Sequence, residues 1–109
     1  MTERFKDMDE VVKASLLYDF YGGLLTEKQS EVMEMYHEEN LSLREIAEEQ
    51  GVSRQAVYNN LKAAEKLLYE YEDKLGLVDK LFESRRIIQE IKEADTIEEV
   101  RQIVEHFEL

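Results

Sequence analysis

Residues 41–68 read LSLREIAEEQGVSRQAVYNNLKAAEKLL, and this stretch decides the fold. Ser42 and Glu45 stand three apart ahead of an apolar run, the spacing at which each side chain satisfies the other's backbone N–H at a helix start. A short helix, Leu43 to Gln50, then stops at Gly51, where the turn requires a backbone conformation costly for residues with a Cβ. Ser53 supplies an oxygen for the orphan N–H groups of a second helix. Ala47 is small where the two helices cross, and Ile46, Val52 and Val57 fill the wedge between them. This order of cap, small residue, glycine, apolar wedge and cap predicts a helix-turn-helix at about residues 42–62, its helices running from Leu43 to Lys62. Gln50 and Asn60 occupy positions where apolar residues are common, and Leu61 takes over the packing expected of position 60.

Outward from this motif the periodicity stays helical. Before it, Met8, Val12, Leu16 and Phe20 repeat at i,i+4 in a first amphipathic helix over 8–21, ended by Gly22-Gly23. Thr26 and Gln29 make a capping box for a second helix with Val32, Met33, Met35 and Tyr36 on its apolar face, closed by Asn40. After the motif, Val57, Leu61, Ala64, Leu68, Tyr71 and Leu75 form a heptad-like seam that Gly76 breaks. Leu77, Leu81, Ser84, Ile88 and Ile91 continue a matching seam, and Thr96 with Glu99 caps a last helix carrying Ile97, Val100, Val104 and Phe107. The expectation is an all-α protein of about six helices in a single domain, 1–109, with additional helices C-terminal to the motif. The two seams leave room for a homodimer, which would suit two DNA half-sites about 34 Å apart.

In a helix-turn-helix the second helix enters the major groove. Its exposed face here would present Ser53, Arg54, Gln55, Tyr58, Asn59 and Lys62. Arg pairs bidentately with guanine, and Gln or Asn with adenine. Arg44, Lys62 and Lys66 are placed for phosphates.

Charge opposes this reading in bulk and relents locally. The chain has 14 basic and 26 acidic side chains, net −12. Residues 1–40 carry 4 and 10 (net −6), residues 41–68 carry 4 and 4 (net 0), and residues 69–109 carry 6 and 12 (net −6). The neutral island coincides with the motif, whereas phosphate neutralisation normally supplies most non-specific affinity. With no cysteine there is no disulfide framework and no thiolate metal site. The charged start MTERFKDMDE is not a signal peptide, and no apolar run is long enough to span a bilayer. A cytoplasmic protein without membrane insertion is expected.

No nucleophile–base constellation, phosphate-cradling glycine loop or metal-ligand cluster stands out, so a non-enzymatic protein without cofactor or metal is expected. His37 and His106 lie near helix ends with no second histidine or cysteine at ligand spacing, which favours solvated or capping roles. The acidic clusters Glu38-Glu39, Glu70-Glu72-Asp73 and Glu98-Glu99 read as solvated helix faces. Tyr18, Phe20, Tyr21 and Tyr36 read as core or edge aromatics, and Arg85-Arg86 as a weak surface patch.

Glu45-Ile46-Ala47-Glu48-Glu49 and Val52 through Tyr58 resemble region 4 of sigma-70-type sigma factors. With Asp19-Phe20-Tyr21, Leu24-Leu25-Thr26, Lys28-Gln29 and the tail Tyr69 through Leu75, the chain is similar to the YlxM family of small bacterial helix-turn-helix proteins. The resemblance covers nearly the whole chain and is most specific through residue 75. It implies an all-helical fold, a DNA-binding regulatory role and a link to the signal recognition particle pathway, whose components become candidate partners. The alternative is an accessory protein that binds the particle, or another protein, without reading DNA sequence.

Overall fold

The computed structural model describes residues 3–107, with side chains from Phe5 onward. Among these residues every regular element is helical: α1 (Glu3–Lys6), α2 (Glu10–Tyr21), α3 (Glu27–Met33), α4 (Leu43–Gln50), α5 (Arg54–Leu75), α6 (Leu77–Glu93) and α7 (Ile97–Glu105). A 3-10 turn, Gly22–Leu24, follows α2, and α3 continues into a π-helical turn, Glu34–Glu38. Neither α1 nor the π turn was expected from periodicity.

The capping signals are borne out. Thr26 with Gln29 and Ser42 with Glu45 form reciprocal capping boxes. The Ser42 N–H bond to its carboxylate holds Glu45 below the usual carboxylate range. At the third site Thr96 caps α7 through Glu99, but the Glu99 carboxylate takes the N–H of Asp95, one residue earlier than a capping box requires. Asn40 (φ 57°) closes the π turn in the left-handed region that asparagine tolerates.

The core is built on α5. Val57, Leu61, Ala64 and Leu68 are buried along it, against Val32 and Met33 of α3, Ile46 and Ala47 of α4, and Ala14, Leu17 and Tyr21 of α2. Phe5 is also fully buried, although it lies in a stretch that reads as charged and polar. The molecule is elongated, 62 × 23 × 20 Å, with α7 packed on α6.

Three expected seams are rotated. In α2 the buried face is Ala14, Leu17 and Tyr21, while Val12 and Phe20 are exposed. In α6 it is Val78, Phe82 and Ile87, while Leu77 and Ile88 are exposed. In α5 the seam holds as far as Leu68, then buries Glu72 (2% exposed) in place of Tyr71 and Leu75. Glu72 therefore departs from the solvated face expected of its acidic cluster.

One network explains all three. Gly76 (φ 63°) ends α5 and begins α6, leaving no side chain of its own to cap the new helix. Glu72, one turn back, performs that task. Its Oε1 accepts from Val78 N at 3.0 Å and its Oε2 from Asp79 N at 3.2 Å, while the Tyr21 hydroxyl donates to Oε1. The same hydroxyl accepts from Leu77 N at 3.0 Å. A carboxylate at a helix N-terminus satisfies orphan donors and complements the helix dipole, and the two N–H bonds fix the rotational phase of α6.

Removing one partner of a buried bond leaves the other unsatisfied, at a cost of about 1–3 kcal/mol. Glu72→Gln and Tyr21→Phe are therefore each expected to lower unfolding stability by about that amount in urea titrations. Burial, with the Glu72 carboxylate beside it, pushes the Tyr21 hydroxyl up to about 12. Burial also pushes Tyr69 up to about 12, assisted by Glu10. A folded-state value raised above the unfolded one means stability is intact below about pH 10 and is lost as pH rises toward 12. Titrations at about pH 9 and about pH 11 are expected to show this loss, smaller in Tyr21→Phe.

Candidate nucleic-acid interface

The helix-turn-helix has the expected local chemistry. Ser42 caps α4 through Glu45 N at 3.1 Å. Gly51 takes φ 69°, and its N–H and that of Val52 both donate to the Ala47 carbonyl, turning the chain out of α4. Ser53 Oγ accepts from Ala56 N at 3.0 Å and starts α5. Ile46 and Val57 are fully buried in the wedge, Ala47 is buried, and Val52 packs at its rim. Leu61 is buried and Asn60 half-buried, as the substitution of packing roles requires. Gln50 is half-buried, with its amide 3.8 Å from Met35 Sδ.

All eight candidate residues, Arg44, Ser53, Arg54, Gln55, Tyr58, Asn59, Lys62 and Lys66, are exposed. Gln55, Asn59, Lys62 and Lys66 follow one another at spacings of 4, 3 and 4, which puts them on one face of α5. Gln55 donates to Asn59 Oδ1 at 3.0 Å, tying the two amides together. Tyr58 lies beside this stripe with Lys62 Nζ 5.7 Å from its ring centroid. Ser53 Oγ accepts the Ala56 N–H as the cap, which leaves its O–H able to donate. Arg44 stands apart on α4 and pairs with Glu48 at 3.3 Å.

Carboxylates thus compete for two of the four cations. Arg44 is held by Glu48, and Lys62 is held by Glu65 at 3.6 Å. Among the described residues, Arg54 and Lys66 have no carboxylate partner. The Arg44–Glu48 pair is exposed on both sides and worth about 0–1 kcal/mol, so a phosphate displaces Glu48 at little cost, whereas the Glu65 side chain is only 22% exposed.

The neighbourhood of Lys62 contains a group that sequence reading placed in solvent. His37, in the π turn, has only 5% of its side chain exposed, and its Nε2 lies 3.8 Å from Glu65 Oε2. That distance is too long for a hydrogen bond, and both ring nitrogens are buried without one. His37 is therefore neither solvated nor a cap. His106, in contrast, is exposed at the end of α7 with Nδ1 2.7 Å from the Gln102 carbonyl. The i,i+3 spacing of Lys62 and Glu65 was visible in the sequence. The approach of His37 was not, because it depends on the π turn. No group of three or more His, Cys, Asp or Glu able to hold a metal occurs among the described residues.

The family profile described as UPF0122, "Putative helix-turn-helix protein, YlxM / p13 like", matches residues 8–108. The chain belongs to the UPF0122 family. A UPF0122 protein of Bacillus thuringiensis (strain Al Hakam) is 45% identical over 106 residues, covering 93% of this chain and 96% of its own length. One of Halalkalibacterium halodurans is 49% identical over 87 residues, covering 80% of each chain. This UPF0122 chain is thus all-α with a helix-turn-helix, as its sequence indicates. No helix among its described residues is long and apolar enough to cross a membrane.

Replacing an N-cap serine by alanine costs about 1 kcal/mol. Ser53→Ala in this UPF0122 chain is expected to lower stability by about that much in urea titrations, and Ser53→Asp to restore it.

Proposed function

We propose that the chain is a sequence-specific DNA-binding regulator that lays the first turns of α5 in the major groove. The observation that carries this reading is the stripe Gln55, Asn59, Lys62 and Lys66, exposed beside Arg54 on a helix whose opposite face is the centre of the core. In this reading Arg54 reads guanine, Gln55 and Asn59 read adenine, and Arg44, Lys62 and Lys66 meet phosphates. Tyr58 lines the edge of the stripe, and Ser53 holds the helix start in place. The protein works in the cytoplasm as one unit over 1–109, with no cofactor and no chemistry of its own.

A second reading, an accessory protein of the signal recognition particle, draws support from charge. Acidic flanks of net −6 on either side of the motif suit a basic partner protein. Selection of genomic fragments at low salt, followed by sequencing, separates the two. The wild type is expected to enrich a shared motif and Arg54→Ala/Gln55→Ala to lose it, while Lys62→Ala weakens all sequences alike. A folded protein that enriches nothing would favour the particle.

The regulator is further proposed to be a homodimer. Leu75, Leu77, Ile88, Ile97 (74% exposed) and Val104 leave an apolar surface on the C-terminal helices, and α7 buries no residue. A second copy covers that surface and sets two recognition helices about 34 Å apart. Sedimentation equilibrium is expected to give a dimer that Ile88→Glu/Ile97→Glu converts to a helical monomer; a monomeric wild type at micromolar concentration rules the dimer out.

A further inference from the structure

Glu65 is shared between two groups that use opposite oxygens. Lys62 Nζ lies 3.6 Å from Oε1, and His37 Nε2 lies 3.8 Å from Oε2. The lysine is on the exposed stripe of α5, while the histidine is sealed behind it with both ring nitrogens unpartnered. A buried polar ring without a hydrogen bond is costly, and this one sits in a π-helical turn, a local feature that recurs at functional sites. We propose that His37 is a proton-operated positioning residue that decides whether Glu65 holds Lys62 or releases it to a DNA phosphate. The proposal rests on the DNA-binding reading above.

The mechanism is competition for one carboxylate. When His37 is neutral, Lys62 is the one cation among the described residues paired with Glu65, and the pair draws Lys62 toward the protein. Imidazole is the side chain that ordinarily changes charge between about pH 5 and pH 8. When His37 gains a proton at Nε2 or Nδ1, it becomes a second cation beside the same carboxylate. Glu65 moves about 1 Å closer to make a charge-assisted bond with the ring, and its hold on Lys62 weakens. Lys62 is then free to swing from the Tyr58 ring, 5.7 Å away, to a phosphate.

The surroundings are arranged for this exchange. Glu10 and Val11 of α2 close the groove over His37 from one side, with Tyr58, Lys62 and Glu65 of α5 on the other. Tyr36 packs its ring edgewise on the imidazole at 5.0 Å, and Glu45 of α4 lines the adjoining groove. Glu10, Glu45, Glu65 and Lys62 line the grooves that border His37, and Glu65 is the carboxylate paired with the ring. Glu10 is already occupied by Lys13 and by the Tyr69 hydroxyl, and Glu45 by its cap, which leaves Glu65 to respond. The contact with His37 and the Lys62 ammonium hold Glu65 below the usual carboxylate range against the opposing effect of burial.

The test is DNA affinity against pH, read by fluorescence anisotropy of a labelled mixed-sequence duplex. Wild type is expected to bind about three- to tenfold more tightly at about pH 6 than at about pH 8. His37→Gln is expected to bind with a nearly flat profile near the pH 8 value, and Glu65→Gln with a flat profile near the pH 6 value. His106→Gln is the control that keeps the wild-type profile. The same profile in wild type and His37→Gln overturns the proposal. A second readout requires no DNA: the Cε–Hε resonance of Lys62 is expected to shift with the same midpoint as the His37 ring, and to stop shifting in Glu65→Gln. If wild type binds no duplex at any pH, the DNA-binding reading fails. The coupling among the three residues then stands or falls on whether the Lys62 resonance follows the histidine.

Discussion

The Glu72 carboxylate is the interaction on which the arrangement of helices depends. It sits where three chain segments meet: the end of α5 that carries it, the end of α2 that supplies Tyr21, and the start of α6 that offers two backbone donors. A buried carboxylate is tolerated when it is hydrogen-bonded, and Glu72 accepts three bonds, two at Oε1 and one at Oε2. The result is directional in a way that apolar packing is not. An apolar residue at position 72 would fill the space, but it would specify neither the phase of α6 nor the anchoring of α2 beside it.

The helix-turn-helix inherits its precision from this junction and from local caps. The junction fixes α2 across α5, and α2 in turn covers the edge of α5 at which Glu10 receives the Tyr69 hydroxyl. Ser42, Gly51 and Ser53 then set α4 relative to α5 through short-range bonds, with Ile46, Ala47 and Val57 packed between the two helices. Two kinds of determinant are therefore at work. The angle within the motif is written locally, and the motif's placement in the protein is written by contacts between residues distant in sequence, such as Tyr21 and Glu72.

That division explains what was legible in the sequence. Caps and turns are contiguous signals, so Thr26, Ser42, Gly51, Ser53 and Gly76 were placed correctly, and with them the motif and its exposed stripe. The faces of α2 and α6 were misjudged because apolar residues surround both helices, so periodicity offered competing stripes. The stripe actually buried in each was selected by Tyr21 and Glu72, whose pairing no local pattern reveals. Glu72 looked like one more solvated acid among Glu70 and Asp73. His37 looked like a helix-end residue because the π turn, which carries its ring under α5, inserts one extra residue into a helical period and shows no capping signature.

A net charge of −12 looks hostile to DNA, but a phosphate responds to local potential more than to the total. The first turns of α5 follow Ser53, and the acidic C-terminal helices begin after Gly76, beyond the 22 residues of α5. At about 1.5 Å per residue that is about 33 Å of helix axis, several times the Debye length of about 8 Å at physiological ionic strength. The nearby charges are mixed: Arg54 and Lys66 lack carboxylate partners, Arg44 and Lys62 are paired with Glu48 and Glu65, and Glu10 lines the groove beside Lys62. In the DNA-binding reading this suppresses indiscriminate attraction while leaving the amide and guanidinium groups of the stripe to base edges. An interface so poor in free cations gains little from phosphates alone, and its affinity depends on the right bases standing opposite Arg54, Gln55 and Asn59. The acidity of the chain is in that sense compatible with selective reading of sequence, and it argues against non-specific coating of DNA.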